Sequence, residues 1–119
     1  MKILMLTWEY PPRIVGGIAR VVHDLSHRLI KDGHEVTVVT YKDVNIPNLT
    51  DFENDKGVKV YRVDNYMITP NNFTDWIMQL NFNLISKATE IINKEGNFDV
   101  IHAHDWLVTY AGKTLKQSF

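Results

Sequence analysis

Cysteine is absent from the 119 residues. Disulfides, thiolate nucleophiles and cysteine-ligated zinc are therefore excluded, and a cysteine-free chain fits a reducing compartment. No charge sign dominates: 13 Lys and Arg against 14 Asp and Glu leave a net charge of −1. That balance offers no basic stripe to a nucleic-acid backbone and no polybasic face to anionic lipid, so neither nucleic acid nor membrane is an expected partner. The apolar run at the start, KILMLT, is soon ended by Glu9 and two prolines. It is too short for a signal-peptide core or a bilayer span, and the expected location is cytoplasmic. Internal repeats, low-complexity tracts and linkers are missing too, and the length suits one domain.

What is present alternates between two periods. Lys2 to Thr7 is a nearly continuous apolar run, as in a strand buried on both faces. Gly17 to Asp32 repeats apolar residues at Ile18, Val21, Val22, Leu25 and Leu29, the spacing of a helix with one apolar face, and Gly33 stands where a left-handed cap would end it. HEVTVVTY reads as a second buried strand, and residues 42–56, rich in Asn and Asp, read as a loop. GVKVYRV, carrying Lys59 and Arg62, reads as a strand near an edge, and a further loop holds Pro70. A helix is expected from Phe73 to Lys94 with Gly96 to stop it, then the strand FDVIHAH, then a helix over Trp106 to Gln117 with Asp105 as its N-cap.

This order predicts an α/β fold: an open parallel sheet with right-handed crossovers and helices on both faces. With a Rossmann-like strand order of 3-2-1-4, the crevice lies beyond the C-terminal ends of the first and fourth strands. The loops there are TWEYPPRIVGG and HAHDW, so the two chemically unusual segments are expected to face each other. No fifth strand is foreseen beyond the fourth. A bare edge there predicts self-association and a chain that forms part of a larger domain.

Gly16 and Gly17 lie between a buried strand and a helix, where amides without Cβ atoms can approach a phosphate; they equally permit a tight turn. The pattern is neither G-x-G-x-x-G nor a GK[ST] loop. His102 and His104, two apart, project to one side of an extended segment. With Asp105 they invite a metal, but the further ligands a catalytic zinc needs are missing and no metal is assigned. His102 is read as buried and structural, Asp105 as a cap, and His104 as a neutral hydrogen-bonding group or proton carrier at the mouth. Trp8, Glu9, Tyr10 and Trp106 suit the apolar faces and hydroxyl rims of sugars, although tryptophans are also common in cores. Arg13 is placed to pair with phosphate or to lie solvated. His23, His27 and His34 are read as surface residues without a role.

Taken together, WEYPPRIVGGIARVVHDLSHRLIKDGHEVTVVT and DVIHAHDW resemble the N-terminal, acceptor-side domain of retaining GT-B glycosyltransferases, of the glycogen and starch synthase type (families 4 and 5). The resemblance runs from Met1 to about Leu115. It implies transfer of glucose or another hexose from a nucleotide-sugar, ADP- or UDP-glucose, to a glycan acceptor with retention of configuration. The donor is a substrate, and no cofactor is implied. Gly16 and Gly17 take the position that meets the donor diphosphate, and His104 the one that contacts the transferring sugar. Glu9 and Asp105 line the acceptor side or hold the loop. Relatives commonly carry a lysine two positions before the paired glycines. Here Ile14 stands there with Arg13 beside it, which leaves a broader family member making another glycoside open.

The resemblance also implies that residues 1–119 are a single partial domain, the incomplete first half of a GT-B N-terminal domain. The donor-binding C-terminal domain with its acidic E-x7-E motif is not among them, so this chain alone is expected to be inactive. The alternative is a non-catalytic α/β module that acts by binding or self-association. Continuation of the reading frame past Phe119 into a second α/β domain would favour the enzyme.

Overall fold

The computed structural model describes residues 1–65 and 72–119; the loop expected around Pro70 falls outside them. Among the described residues nine elements follow one another. They are β1 (Lys2–Thr7), α1 (Ile18–Lys31), β2 (Glu35–Tyr41), β3 (Phe52–Asp55), β4 (Val58–Val63), α2 (Phe73–Glu95), β5 (Val100–Ala103), a 3-10 turn (Trp106–Val108) and α3 (Thr109–Ser118). The sheet order is β3-β4-β2-β1-β5, parallel except for the antiparallel pair β3–β4. The four expected strands thus keep the 3-2-1-4 order, with β1 in the middle, paired to β2 and β5.

Period-two alternation splits the strands between two cores. Ile3 and Met5 of β1, Val36 and Val38 of β2, and Val58 and Val60 of β4 face α1, where they meet Val22. Leu4, Leu6, Val39 and Val63 point the other way, onto Leu80, Leu84 and Ala88 of α2 and Ala111 and Leu115 of α3. β1 and β2 are buried on both faces because helices cover both sides, which is why they read as apolar runs. Among the described residues no helix is long and apolar enough to cross a membrane.

Two expectations need correction. Part of the segment read as a loop is β3, an added fifth strand that makes the sheet mixed. It joins β4 through Lys56 and Gly57, both with positive φ (52° and 101°), the geometry of a tight hairpin, and Asn54 Oδ1 accepts the Gly57 N–H at 2.8 Å. Its sequence FEND is exposed and charged, which suits a strand at an edge and hides it from an apolar search. In consequence β4 is not an edge strand. Arg62, 4% exposed, is absorbed there by Glu53 Oε1 at 2.7 Å and by the carbonyls of Thr50 and Pro11 at 3.3 Å each.

The end of α1 forms as expected. Gly33 has φ +93°, its N–H donates to the Ile30 carbonyl and the His34 N–H to that of Leu29, each at 3.0 Å. Replacing Gly33 by alanine forces a Cβ into the left-handed region, whereas Gly17, at φ −78°, already lies where any residue fits. In urea denaturation, Gly33→Ala is expected to cost about 1–2 kcal/mol, and Gly17→Ala only a small fraction of that.

Candidate functional site

The C-terminal ends of β1 and β5 are neighbours, so the loops that leave them are neighbours too. The His104 N–H donates to the Leu6 carbonyl at 2.9 Å, extending the β1–β5 ladder by one bond into the HAHDW segment. Asp105 lies close enough to Glu9 for the Glu9 charge to act on it. Residues 7–17 and 102–106 therefore meet at one rim, as the topology implied.

Glu9 is fully buried two residues beyond β1. Its carboxylate accepts the Val15 N–H at 2.9 Å, the Gly16 N–H at 3.2 Å to both oxygens, and the Ala19 N–H at 2.8 Å. Helix α1 has no side-chain cap of its own at Gly17. Glu9 supplies one from a distance, placing a negative charge on the positive end of the helix dipole. These contacts tie the loop between β1 and α1 to the Glu9 side chain. The Gly16 N–H is engaged by Glu9, while the Gly17 N–H has no hydrogen-bond partner among the described residues.

His104 is 6% exposed, and its Nε2 is buried without a hydrogen-bond partner among the described residues. Burial, and secondarily the neighbouring His102, lower its pKa from the ordinary 6.5 to about 4, so the ring is neutral at pH 7. The rings of His102 and His104 stack, with centroids 3.9 Å apart, on the same side of the chain. The burial expected of the pair is inverted, however: His102 is the exposed member. His104 lies just past the end of β5 and is enclosed, whereas His102, within the strand, is open to solvent.

Asp105 caps the 3-10 turn, its Oδ1 accepting the Leu107 N–H at 2.7 Å. Burial raises the Asp105 pKa; the Leu107 N–H opposes this and the Glu9 charge adds to it. Its backbone sits at φ 80°, ψ 171°, a region nearly confined to glycine. Trp106, 72% exposed, stands free in solvent at the same rim.

Arg13 points away from this group. It pairs with Asp43, donates from Nε to the Trp8 carbonyl at 3.3 Å, and lies over the rings of Trp8 and Tyr41 at 4.8 and 5.0 Å. These residues, with Asn45, Asn72, Phe73 and Trp76, line a cleft of about 470 Å³. Tyr41, Asp43 and Trp76 did not stand out in the sequence, because an aromatic at the end of a strand or on a helix reads as core. Tyr10 is buried, and its hydroxyl donates to Asp55 Oδ2 at 2.7 Å. Burial, with the Asp55 carboxylate second, raises its pKa well above the ordinary value. Nor are His23 and His27 idle surface residues: both face Asp55.

The mostly parallel sheet thus carries an amide-rich loop and a buried, neutral histidine at the C-terminal rim, where open α/β sheets form their crevice. The family profile described as the starch synthase catalytic domain matches residues 2–119, and the chain belongs to that family. It is 42% identical over 121 residues to an uncharacterized glycosyltransferase of Methanocaldococcus jannaschii, covering 98% of this chain and 28% of that protein. It is 32% identical over 129 residues to a glycogen synthase of Mycobacterium tuberculosis, covering 100% of this chain and 31% of that one. The chain therefore spans about three-tenths of the length of these relatives. Among solved structures, the fold resembles sucrose-phosphate synthase from Thermosynechococcus elongatus, with a TM-score of 0.78 at 22% identity over 99% of this chain and 30% of that one. It also resembles the catalytic domain of starch synthase IV from Arabidopsis thaliana, solved with ADP and acarbose: TM-score 0.65, 17% identity, 92% of this chain and 29% of that one.

Two outcomes follow from the geometry. Glu9→Gln puts an NH2 donor against a cradle of amide donors, and is expected to cost on the order of 2–3 kcal/mol in chemical denaturation. His104 is expected to titrate near pH 4 by NMR. Because the unfolded ring takes up its proton first, stability should be full above pH 6.5 and fall as pH drops towards 4. His104→Gln should flatten that slope.

Proposed function

We propose that residues 1–119 form the acceptor-side part of a retaining glycosyltransferase that moves glucose or another hexose from a nucleotide-sugar to a glycan, in the manner of a glycogen or starch synthase. The observation that carries this reading is the meeting of the Gly16–Gly17 loop with His104 and Asp105 at one rim of a chain in this family. In the reaction, the bond between the sugar anomeric carbon and the diphosphate breaks and a bond to an acceptor hydroxyl oxygen forms. The hydroxyl proton leaves with the diphosphate.

His104, neutral and with an unpaired Nε2, suits a hydrogen bond to a hydroxyl of the transferring sugar. That atom is closed to solvent, so contact requires the covering side chains to shift. The diphosphate would meet the loop through Gly17 rather than Gly16, whose N–H is held by Glu9. Asp105 and Trp106 would border the acceptor, with the exposed Trp106 ring offering a face to a sugar. Arg13, tied to Asp43, would act by shaping the aromatic cleft beside them.

The donor is a substrate, ADP- or UDP-glucose, and the transfer is assigned no cofactor. A donor-binding domain beyond these residues would supply the remaining positive charge on the leaving diphosphate, so the 119-residue chain alone would not turn over. The setting would be cytoplasmic.

A panel of nucleotide-sugars and glucans offered to the complete gene product tests this. Transfer with retained anomeric configuration is expected, with His104→Ala lowering kcat/KM about 100- to 1000-fold at an unchanged circular dichroism spectrum. Absence of transfer from every donor, or full activity in His104→Ala, would overturn the assignment of this site.

A second reading rests on β5. Among the described residues it pairs on one side only, with β1, and leaves Val100 exposed, lining one pocket with Phe119. We infer that the 119-residue chain associates with itself along this edge. Sedimentation velocity at increasing concentration is expected to show a growing dimer fraction, and a single monomer boundary throughout would refute it.

A further inference from the structure

On the α1 side of the sheet, away from His104, three ligand-type side chains converge. We propose that His23, His27 and Asp55 bind one divalent transition-metal cation, with zinc the best match, that ties α1 to the β3–β4 hairpin. His23 and His27 are four residues apart on one helix face, with ring centroids 4.0 Å apart. Asp55 ends β3. Nε2 of His27 lies 3.4 Å, and Nε2 of His23 3.7 Å, from the same Oδ2 of Asp55. Ligands about 2.0–2.1 Å from a tetrahedral zinc sit about 3.3–3.4 Å from one another.

The hydrogen bonds on the far side of each ring decide where the lone pairs point. His27 Nδ1 is 2.7 Å from the His23 carbonyl oxygen, which can only accept. Nδ1 therefore carries the hydrogen, and in the neutral ring Nε2 carries a lone pair. His23 Nδ1 is 3.2 Å from the Asp24 carboxylate, which imposes the same tautomer. Both rings thus turn a lone pair towards a carboxylate oxygen, and His27 Nε2 is buried without a hydrogen-bond donor among the described residues. Three lone pairs facing one another repel unless a cation lies between them.

The surroundings have the form that metal ligands usually take. A backbone carbonyl and a carboxylate hold the two Nδ1–H groups, and the buried Tyr10 hydroxyl holds the ligating Asp55 oxygen at 2.7 Å. Two imidazoles and one carboxylate favour zinc and its neighbours over magnesium or calcium, and leave a fourth position for water. Among the described residues this is the one set of three such side chains whose ligand atoms converge. Tyr10 directly follows Glu9, so the cation would also brace the loop that caps α1. Its role is structural and independent of the sugar-transfer reading.

Cobalt and zinc titrations of the 119-residue chain test the site, with cobalt followed by its visible ligand-field bands and zinc by calorimetry. One equivalent of cobalt with tetrahedral bands, displaced by zinc, is expected, together with a zinc-dependent rise in Tm. His27→Gln and Asp55→Asn should each weaken zinc binding at least about tenfold. The more exposed His23→Gln provides a variant less at risk of misfolding, and His34→Gln should leave the affinity unchanged. No metal uptake by the parent chain, or unaltered affinity in all three site variants, would overturn the proposal. So would substitutions that change only the pH dependence of metal-free stability, because protons alone would then hold the cluster.

Discussion

The buried carboxylate of Glu9 is the constraint on which the rim depends. A strand that must turn into a helix within a few residues exposes the first amides of that helix, and Gly17 has no side chain to receive them. Glu9 reaches back from the end of β1 and takes three of the amides between Val15 and Ala19. The contact fixes the path of the intervening loop and the direction from which α1 meets the sheet. Burying this side chain without those partners would be costly, so the loop closes around it or does not form.

This arrangement changes the electrostatics of the crevice. A glycine-rich turn before a helix is commonly a place for an anion, because amides and dipole both favour negative charge. Here a side chain already occupies part of that place. A second anion would share the helix end with Glu9, and at close range like charges oppose each other strongly. Binding of a diphosphate therefore needs positive charge from elsewhere, since Arg13 is committed to Asp43. On the proposed reading, the loop would therefore orient an anionic donor rather than supply most of its affinity.

Much of the fold was legible because buried parallel strands and a one-faced helix leave strong periodic signals. The order of β4, β2, β1 and β5, the Gly33 stop and the Asp105 cap all follow from such signals. The strand β3 escaped because an exposed edge strand is polar by necessity, and FEND carries no alternation to detect. Without β3 the charges of β4 looked like marks of an edge, whereas Arg62 is neutralised by Glu53 across the hairpin. The candidate site was legible as two segments on one rim. What each side chain does there was not, because that depends on which groups are buried. No spacing rule reveals that Glu9 is enclosed, that His104 rather than His102 lies inside, or that His23 and His27 face a hairpin absent from the sequence reading.

The strain at Asp105 shows how the second segment is held against the first. A side chain at φ 80°, ψ 171° is disfavoured by about 1–3 kcal/mol relative to relaxed backbone, and glycine would remove that cost. Glycine would also remove the carboxylate that caps Leu107, whose side chain is buried beneath the rim. A cap contributes about 1 kcal/mol, so the two effects are comparable and stability alone does not select aspartate. What the strained turn does achieve is a change of direction within one residue. It brings the chain from the β1–β5 ladder into the 3-10 turn, leaving the His104 ring beneath the rim and the Trp106 ring above it. The position is thus explained by placement of its two neighbours, in the same way that Glu9 is explained by placement of the loop across from it.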